Sequence, residues 1–236
     1  DVFRKKLQSF YGVLKGEDAH IRFVFITGVT RFDKVSIFSD LNNLNDISMD
    51  SDYYNICGIT DEELRTQFIP EIQQLAIRNG ISEEKCLEML RDKYDGYHFE
   101  ESVPGIYNPF SLLNAFYKKK FGSYWFETGT PTYLVELLQA RDYDLEEMSR
   151  VEADADELNS IDSSSNNPIP VIYQSGYLTI KDYDPEFGTY TLGFPNAEVE
   201  EGFTKYLMPN YIYRKENRSP FLINNFVEDV RSGNTE

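Results

Sequence analysis

The chain sets 40 acidic residues against 23 basic ones over 236 positions, a formal net charge of −17. That sign argues against general binding to nucleic acid or anionic membrane, since both surfaces reward clustered Lys and Arg. With 41% apolar and 15% aromatic residues it has ample material for a core and lies outside the low-hydrophobicity regime of disorder. The longest apolar run, Phe23 to Ile26, is strand-sized and far short of a membrane span, so a soluble, cytoplasmic protein with no membrane partner is expected. Two cysteines, Cys57 and Cys86, and two histidines, His20 and His98, supply neither a disulfide framework nor a zinc site, and two buried thiols are expected.

In chain order, Val2, Phe3, Leu7, Phe10, Tyr11 and Leu14 recur at helical spacing until Gly16. Asp1 stands where an initiator Met would, and the pattern begins at once, so a piece of a longer protein is expected. Ile21 to Thr27 (IRFVFIT) reads as a strand buried on both faces, and helix followed by buried strand suggests an α/β sheet. Gly28 opens a long polar segment in which Asn42, Asn43, Asn45 and Asp46 favour turns.

Thr60 with Glu63 forms a capping box, starting a helical stretch through Leu64 and Phe68 and, beyond Pro70, Ile72, Leu75 and Ile77, which Gly80 closes. Ser82 caps a helix carrying Cys86, Leu87 and Leu90; Asn108 with Pro109 caps another with Leu112, Leu113 and Phe116. Thr130 and Pro131 open a helix with Tyr133, Leu134, Leu137 and Leu138. The acid-rich stretch 141–165 is expected to be a solvated helix pair and surface loop. Tyr177 to Tyr183, a turn over Asp184 to Gly188, and Thr189 to Phe194 spell a hairpin, and helices ahead of a two-stranded wing describe a winged-helix module. Glu198 to Leu207 is a final helix, and the tail after Asn217 carries Phe221, Leu222, Phe226 and Val230. The expected divisions are 1–121, 122–216 and 217–236.

Several chemical leads fail on mechanics. GVTRFDKVS superficially resembles a phosphate loop, but Asp33 occupies the second glycine's place and Val35 stands where Mg²⁺ needs a hydroxyl. Glu83-Glu84-Lys85 gives an E-x-K triplet of nuclease type, yet acids at a helix start simply suit the macrodipole. No local signature supports a Ser/His/Asp triad, and no metal ligand set is predicted. A better lead is Thr27, Thr30 and Arg31 at the carboxyl end of the expected strand, where ligands of α/β sheets bind. A Thr or Arg there could feel a γ-phosphate or orient an attacking water; a structural role is the alternative.

The blocks FVFITGVTRFDKVSIFSDLNNLNDIS, KYDGYHF with IYNPFSLLNAF, YWFETGTPTYL, and YQSGYLTIKDYD with YTLGFPNAEVEEGF, in this order over nearly the whole chain, resemble the predicted AAA-ATPase-like family abundant in Bacteroides-type bacteria. The resemblance implies an α/β fold: the C-terminal portion of a P-loop NTPase core related to the STAND and archaeal ATPase groups, then a helical lid and a winged-helix-like module. It implies ATP and Mg²⁺ as cofactors of the parent protein. Walker A and Walker B would lie in an N-terminal P-loop portion ahead of this chain, and a nuclease-like domain of the PD-(D/E)XK type could follow it. It makes Thr27 the sensor residue and Arg31 its charged neighbour, with Thr30, Asp95, Tyr97 and Asn108 as nucleotide-site candidates that could instead hold the lid against the core. For Tyr97 and Tyr107 the alternative is packing, and for Asn108 a helix cap. Without the phosphate loop the chain alone is expected neither to bind ATP tightly nor to hydrolyse it. A non-catalytic binding module is the competing expectation, engaging protein through aromatic surface (17 Tyr and 17 Phe) rather than DNA, since Lys181 stands in the wing against Asp182, Asp184 and Glu186.

Overall fold

The structure is a computed structural model and describes residues 2–17, 19–28, 44–128, 151–158 and 167–211. Helix α1 (Val2–Gly16) forms where the spacing places it, with Leu7, Phe10 and Val13 largely exposed. Residues 21–28 depart from expectation: they form no strand, and Phe23 is 81% and Phe25 48% exposed. A strand exists only as one side of a ladder, and no backbone hydrogen bond joins 22–28 to another described segment. Aromatic and β-branched residues give that segment β propensity but cannot supply its partner.

A helical unit follows. The Thr60 hydroxyl accepts from the Glu63 N–H at 3.1 Å and the Glu63 carboxylate accepts from the Thr60 N–H at 2.9 Å, opening α2 (Asp61–Gln67). The expected continuous stretch breaks at Phe68, because Pro70 lacks an N–H and its ring would collide with the preceding turn; α3 (Ile69–Asn79) begins anew there. Gly80, left-handed at φ 65°, closes α3. Ser82 caps α4 (Glu83–Tyr94), and Asn108 caps α5 (Pro109–Lys118) by accepting from Phe110 and Ser111 N–H at 3.0 and 3.3 Å. Leu64, Leu75, Leu90 and Leu112 are completely buried between these helices, each contributing about 2 kcal/mol. Tyr94 locks the far edge: its hydroxyl donates to Gly122 O at 2.9 Å and accepts from Gly122 N–H at 3.0 Å.

The second unit is built on a three-stranded antiparallel sheet in the order β1-β3-β2, with β1 (Val151–Asp154), β2 (Thr179–Asp184) and β3 (Thr189–Gly193). The hairpin lies where expected, its turn held by Asp184 Oδ1, which accepts from Glu186 and Phe187 N–H at 2.9 and 3.2 Å. β1 corrects the reading of the acid-rich stretch as helix and loop. Val151 and Ala153 point inward and Glu152 and Asp154 outward, a period of two that surrounding acids disguise in the sequence. The sheet is therefore three strands wide, where the sequence announced two. Short helices α6 (Ala155–Leu158) and α7 (Ile169–Gln174) and the long α8 (Ala197–Tyr211) pack Leu158, Ile172, Val199 and Phe203 against Leu178, Ile180 and Leu192.

The architecture is thus mixed helix with a small antiparallel sheet. The helix expected after Thr130 and the tail after Asn217 lie outside the described residues. One cysteine expectation is corrected: Cys86 is buried, its thiol pushed up to about 11 by burial, but Cys57 is exposed, because it sits among the turns after Tyr53 rather than on a helix facing the core. Among the described residues no helix is long and apolar enough to cross a membrane. Thr60→Ala removes the side-chain half of the capping box and is expected to lower stability by about 1 kcal/mol in urea unfolding, with the slope unchanged.

Candidate functional site

The two units meet along a strap, residues 95–98, that leaves α4. Asp95 ends that helix, its N–H donating to Arg91 O at 3.2 Å. Gly96 has φ 101°, and a Cβ built on it would run into the Pro195 carbonyl oxygen, so both conformation and closeness require glycine. Tyr97 then exchanges backbone hydrogen bonds with Ile106 at 3.3 and 3.0 Å, and Tyr107 with Ile59 at 2.8 and 3.3 Å. The buried Thr179 hydroxyl of β2 accepts from His98 N–H at 2.7 Å and donates to His98 O at 2.9 Å, standing in for a neighbouring strand.

The start of α8 is fastened to the same place. Asn196 Oδ1 accepts from Val199 N–H at 3.1 Å, capping the helix, while its Nδ2 donates to Asp95 O at 3.0 Å. Lys93 of α4 pairs with Glu201 at 2.9 Å. Glu198 is completely buried, and its Oε1 accepts from Trp125 N–H at 3.1 Å.

Glu198 Oε2, Ser111 Oγ, Tyr97 Oη and Asp95 Oδ1 are buried without a hydrogen-bond partner among the described residues. Burial raises the Glu198 carboxyl above its ordinary value, opposed by the Ser111 hydroxyl, the Trp125 and Tyr124 N–H groups and Lys93. Burial raises Asp95 as well, against the Gly96 N–H and the Arg91 guanidinium at 3.7 Å. It lowers His98, with Lys181 adding to the effect. The Tyr94, Tyr97, Tyr107 and Tyr177 hydroxyls are raised, chiefly by burial, far beyond neutral pH. Chemically this junction fastens backbone; its phenols offer no ionised nucleophile.

Three of the residues singled out from the sequence come together here. Asn108 N–H donates to Tyr94 O at 2.9 Å, which ties the YNP motif to the residue before Asp95, and Tyr97 pairs through its backbone with Ile106 of the same segment. Asn108 spends its side-chain oxygen on the α5 cap. Thr27 is exposed, with no hydrogen bond to the junction among the described residues; Thr30 and Arg31 lie outside them. A small cleft of about 180 Å³, lined by Arg65, Ile69, Ile72, Glu83 and Leu87, includes none of these residues. Sequence reasoning missed Asn196, Thr179 and Glu198. Asn196 ahead of an acidic first turn is an N-cap signal that could have been found. Glu198 gives no such sign, since an acid in a first turn ordinarily faces water.

Residues 1–38 match a family model described as "Predicted AAA-ATPase" (AAA-ATPase_like). An "Uncharacterized protein in vnfD 5'region" of Azotobacter chroococcum mcd 1 is 38% identical over 212 residues, which cover 89% of this chain and 39% of that protein. The chain thus spans 39% of the length of the curated relative it matches. No solved structure matches.

Gly96→Ala is expected to lower stability by about 2 kcal/mol or more, through the positive φ and the collision with Pro195 O, and to red-shift the emission of the protein's single tryptophan, Trp125. An unchanged unfolding midpoint would show that the strap can shift aside.

Proposed function

We propose that the chain is the sensor, lid and winged-helix-type portion of an AAA-like P-loop ATPase acting in the cytoplasm. What carries the reading is a coincidence of place. Residues 1–38, which match the predicted AAA-ATPase family, contain the segment 21–28, whose Phe23 and Phe25 stand exposed and whose backbone has no ladder partner among the described residues. An apolar, β-prone segment of this kind suits a strand of a nucleotide-binding sheet whose neighbours lie elsewhere in the protein. On this reading Thr27 ends that strand as the sensor, with Thr30 beside it, and Arg31 stabilises charge on the transferring phosphoryl group. Asp95, Tyr97 and Asn108 serve the same machine by fastening the lid, a role supported by the strap's hydrogen bonds.

The described residues, together with the GVTRFDKVS segment of the sequence, do not by themselves fit Mg-ATP. Asp33 and Val35 stand where a phosphate loop needs glycine and a hydroxyl, and the described residues include no group of three or more His, Cys, Asp or Glu arranged for a metal. The triphosphate and Mg²⁺ are therefore assigned to an N-terminal P-loop portion outside these residues, and a C-terminal nuclease-like domain is a further candidate partner.

A second reading, a non-catalytic protein-binding module, is favoured by α5, where Phe110, Leu113 and Tyr117 are 45%, 47% and 87% exposed at i, i+3 and i+7. DNA suits the module poorly. The outer face of the sheet sets Glu152 and Asp182 beside Thr191, and Asp154 and Asp184 beside Thr189, while the Lys181 ammonium donates to Pro195 O at 3.2 Å.

The 236-residue chain is expected to show no Mg-ATP turnover alone, and to support it when joined in frame to a P-loop-bearing segment from a longer relative. In that joined protein Arg31→Ala should lower turnover by about 10²-fold. Turnover by the chain alone, or no effect of Arg31→Ala and Thr27→Ala in the active joined protein, would refute the reading. In a fluorescence titration with duplex DNA, no salt-dependent binding is expected; tight binding that weakens steeply with salt would reverse the assignment of the sheet face.

A further inference from the structure

Glu198 is an unusual choice for its place. It is completely buried at the seam between α8 and the helical unit, where a Gln or an apolar residue would avoid enclosing a carboxyl group. Each element packed against it contributes a polar group: Lys93 and Tyr94 from α4, Ser111 from α5, Tyr97 from the strap, and Tyr124 and Trp125 from the segment leading into a 3-10 turn. Lys93 is the cation acting on it, yet that ammonium already pairs with Glu201 at 2.9 Å. One carboxyl oxygen is used by Trp125 N–H; the other has no hydrogen-bond partner among the described residues, and neither does the Ser111 hydroxyl that faces it.

We propose that Glu198 is a proton-controlled latch: as the neutral acid it seats α8 and the sheet on the helical unit, and loss of its proton loosens that seam. The neutral acid carries its proton on Oε2 and so encloses no charge at this fully buried position, while Oε1 still accepts from the Trp125 backbone N–H. Proton loss to solvent leaves a buried anion that shares its nearest cation with Glu201. The sign follows from burial. The folded-state pKa lies above the open-state value, so the latch is fully set below the ordinary Glu range and is lost as pH rises through the raised folded value.

Trp125, the chain's single tryptophan, reports the seam, since its backbone N–H is the Glu198 donor and its ring lies 4.7 Å from that of Tyr177. Emission of the full chain, followed upward in pH from below the ordinary Glu range, is expected to shift red in a single step above that range in wild type and to stay flat in Glu198→Gln, which keeps the neutral shape. A flat wild-type signal, or the same step in Glu198→Gln, overturns the proposal. Should Glu198→Gln not fold, Lys93→Met decides: removing the cation that favours the anion should move the step to higher pH, and an unmoved step overturns the proposal equally. A merely structural Glu198 would alter stability but would not place a titration step under the control of Lys93.

Discussion

One side-chain amide sets much of the geometry. Asn196 caps α8 with its oxygen and holds the end of α4 with its nitrogen, so the first turn of a helix in one unit is fixed to the end of a helix in the other. That bond forms only because Gly96 lets the strap pass against the Pro195 carbonyl, the residue just before the cap. A helix start and a helix end, each with backbone groups that need partners, thereby satisfy one another. Thr179 does the same for both backbone groups of His98.

The seam is polar, whereas the two bodies it joins are not. Each body has its own cluster of buried side chains, around Leu75, Leu90 and Leu112 in one and Leu178, Ile180 and Leu192 in the other. Apolar burial stabilises each body, but it is non-directional and would tolerate several dockings; hydrogen bonds at fixed positions select one. The cost lies in the buried polar atoms left without partners, each about 1–3 kcal/mol if it stays so. At Glu198 the larger cost is that of enclosing a charge, which the neutral acid avoids; the proposed latch rests on that difference.

What was legible in the sequence was local. Thr60 with Glu63, Ser82, Asn108 and Gly80 each act through the next few residues, and each cap and stop appears where its chemistry places it. The hairpin was legible for the same reason, since Asp184 and Gly188 shape their own turn. Reading failed where a partner distant in sequence decides the outcome. IRFVFIT has strand composition without a ladder, and Val151–Asp154 has acid-rich composition but finds β3 beside it. At the site, Asp95, Tyr97 and Asn108 were marked by their motifs, yet the residues that give them a role, Asn196, Thr179 and Glu198, lie from 71 to 103 positions away. Nothing in the residues around Glu198 announces that its helix start is buried.

The claim that this polar seam makes two cores into one cooperative body is tested most directly by unfolding the chain in urea with two probes at once. Far-ultraviolet circular dichroism follows the helices, and Trp125 fluorescence follows the seam. Coincident transitions with one midpoint are the predicted result. A Trp125 transition complete at lower urea, with the helical signal still intact, would contradict it.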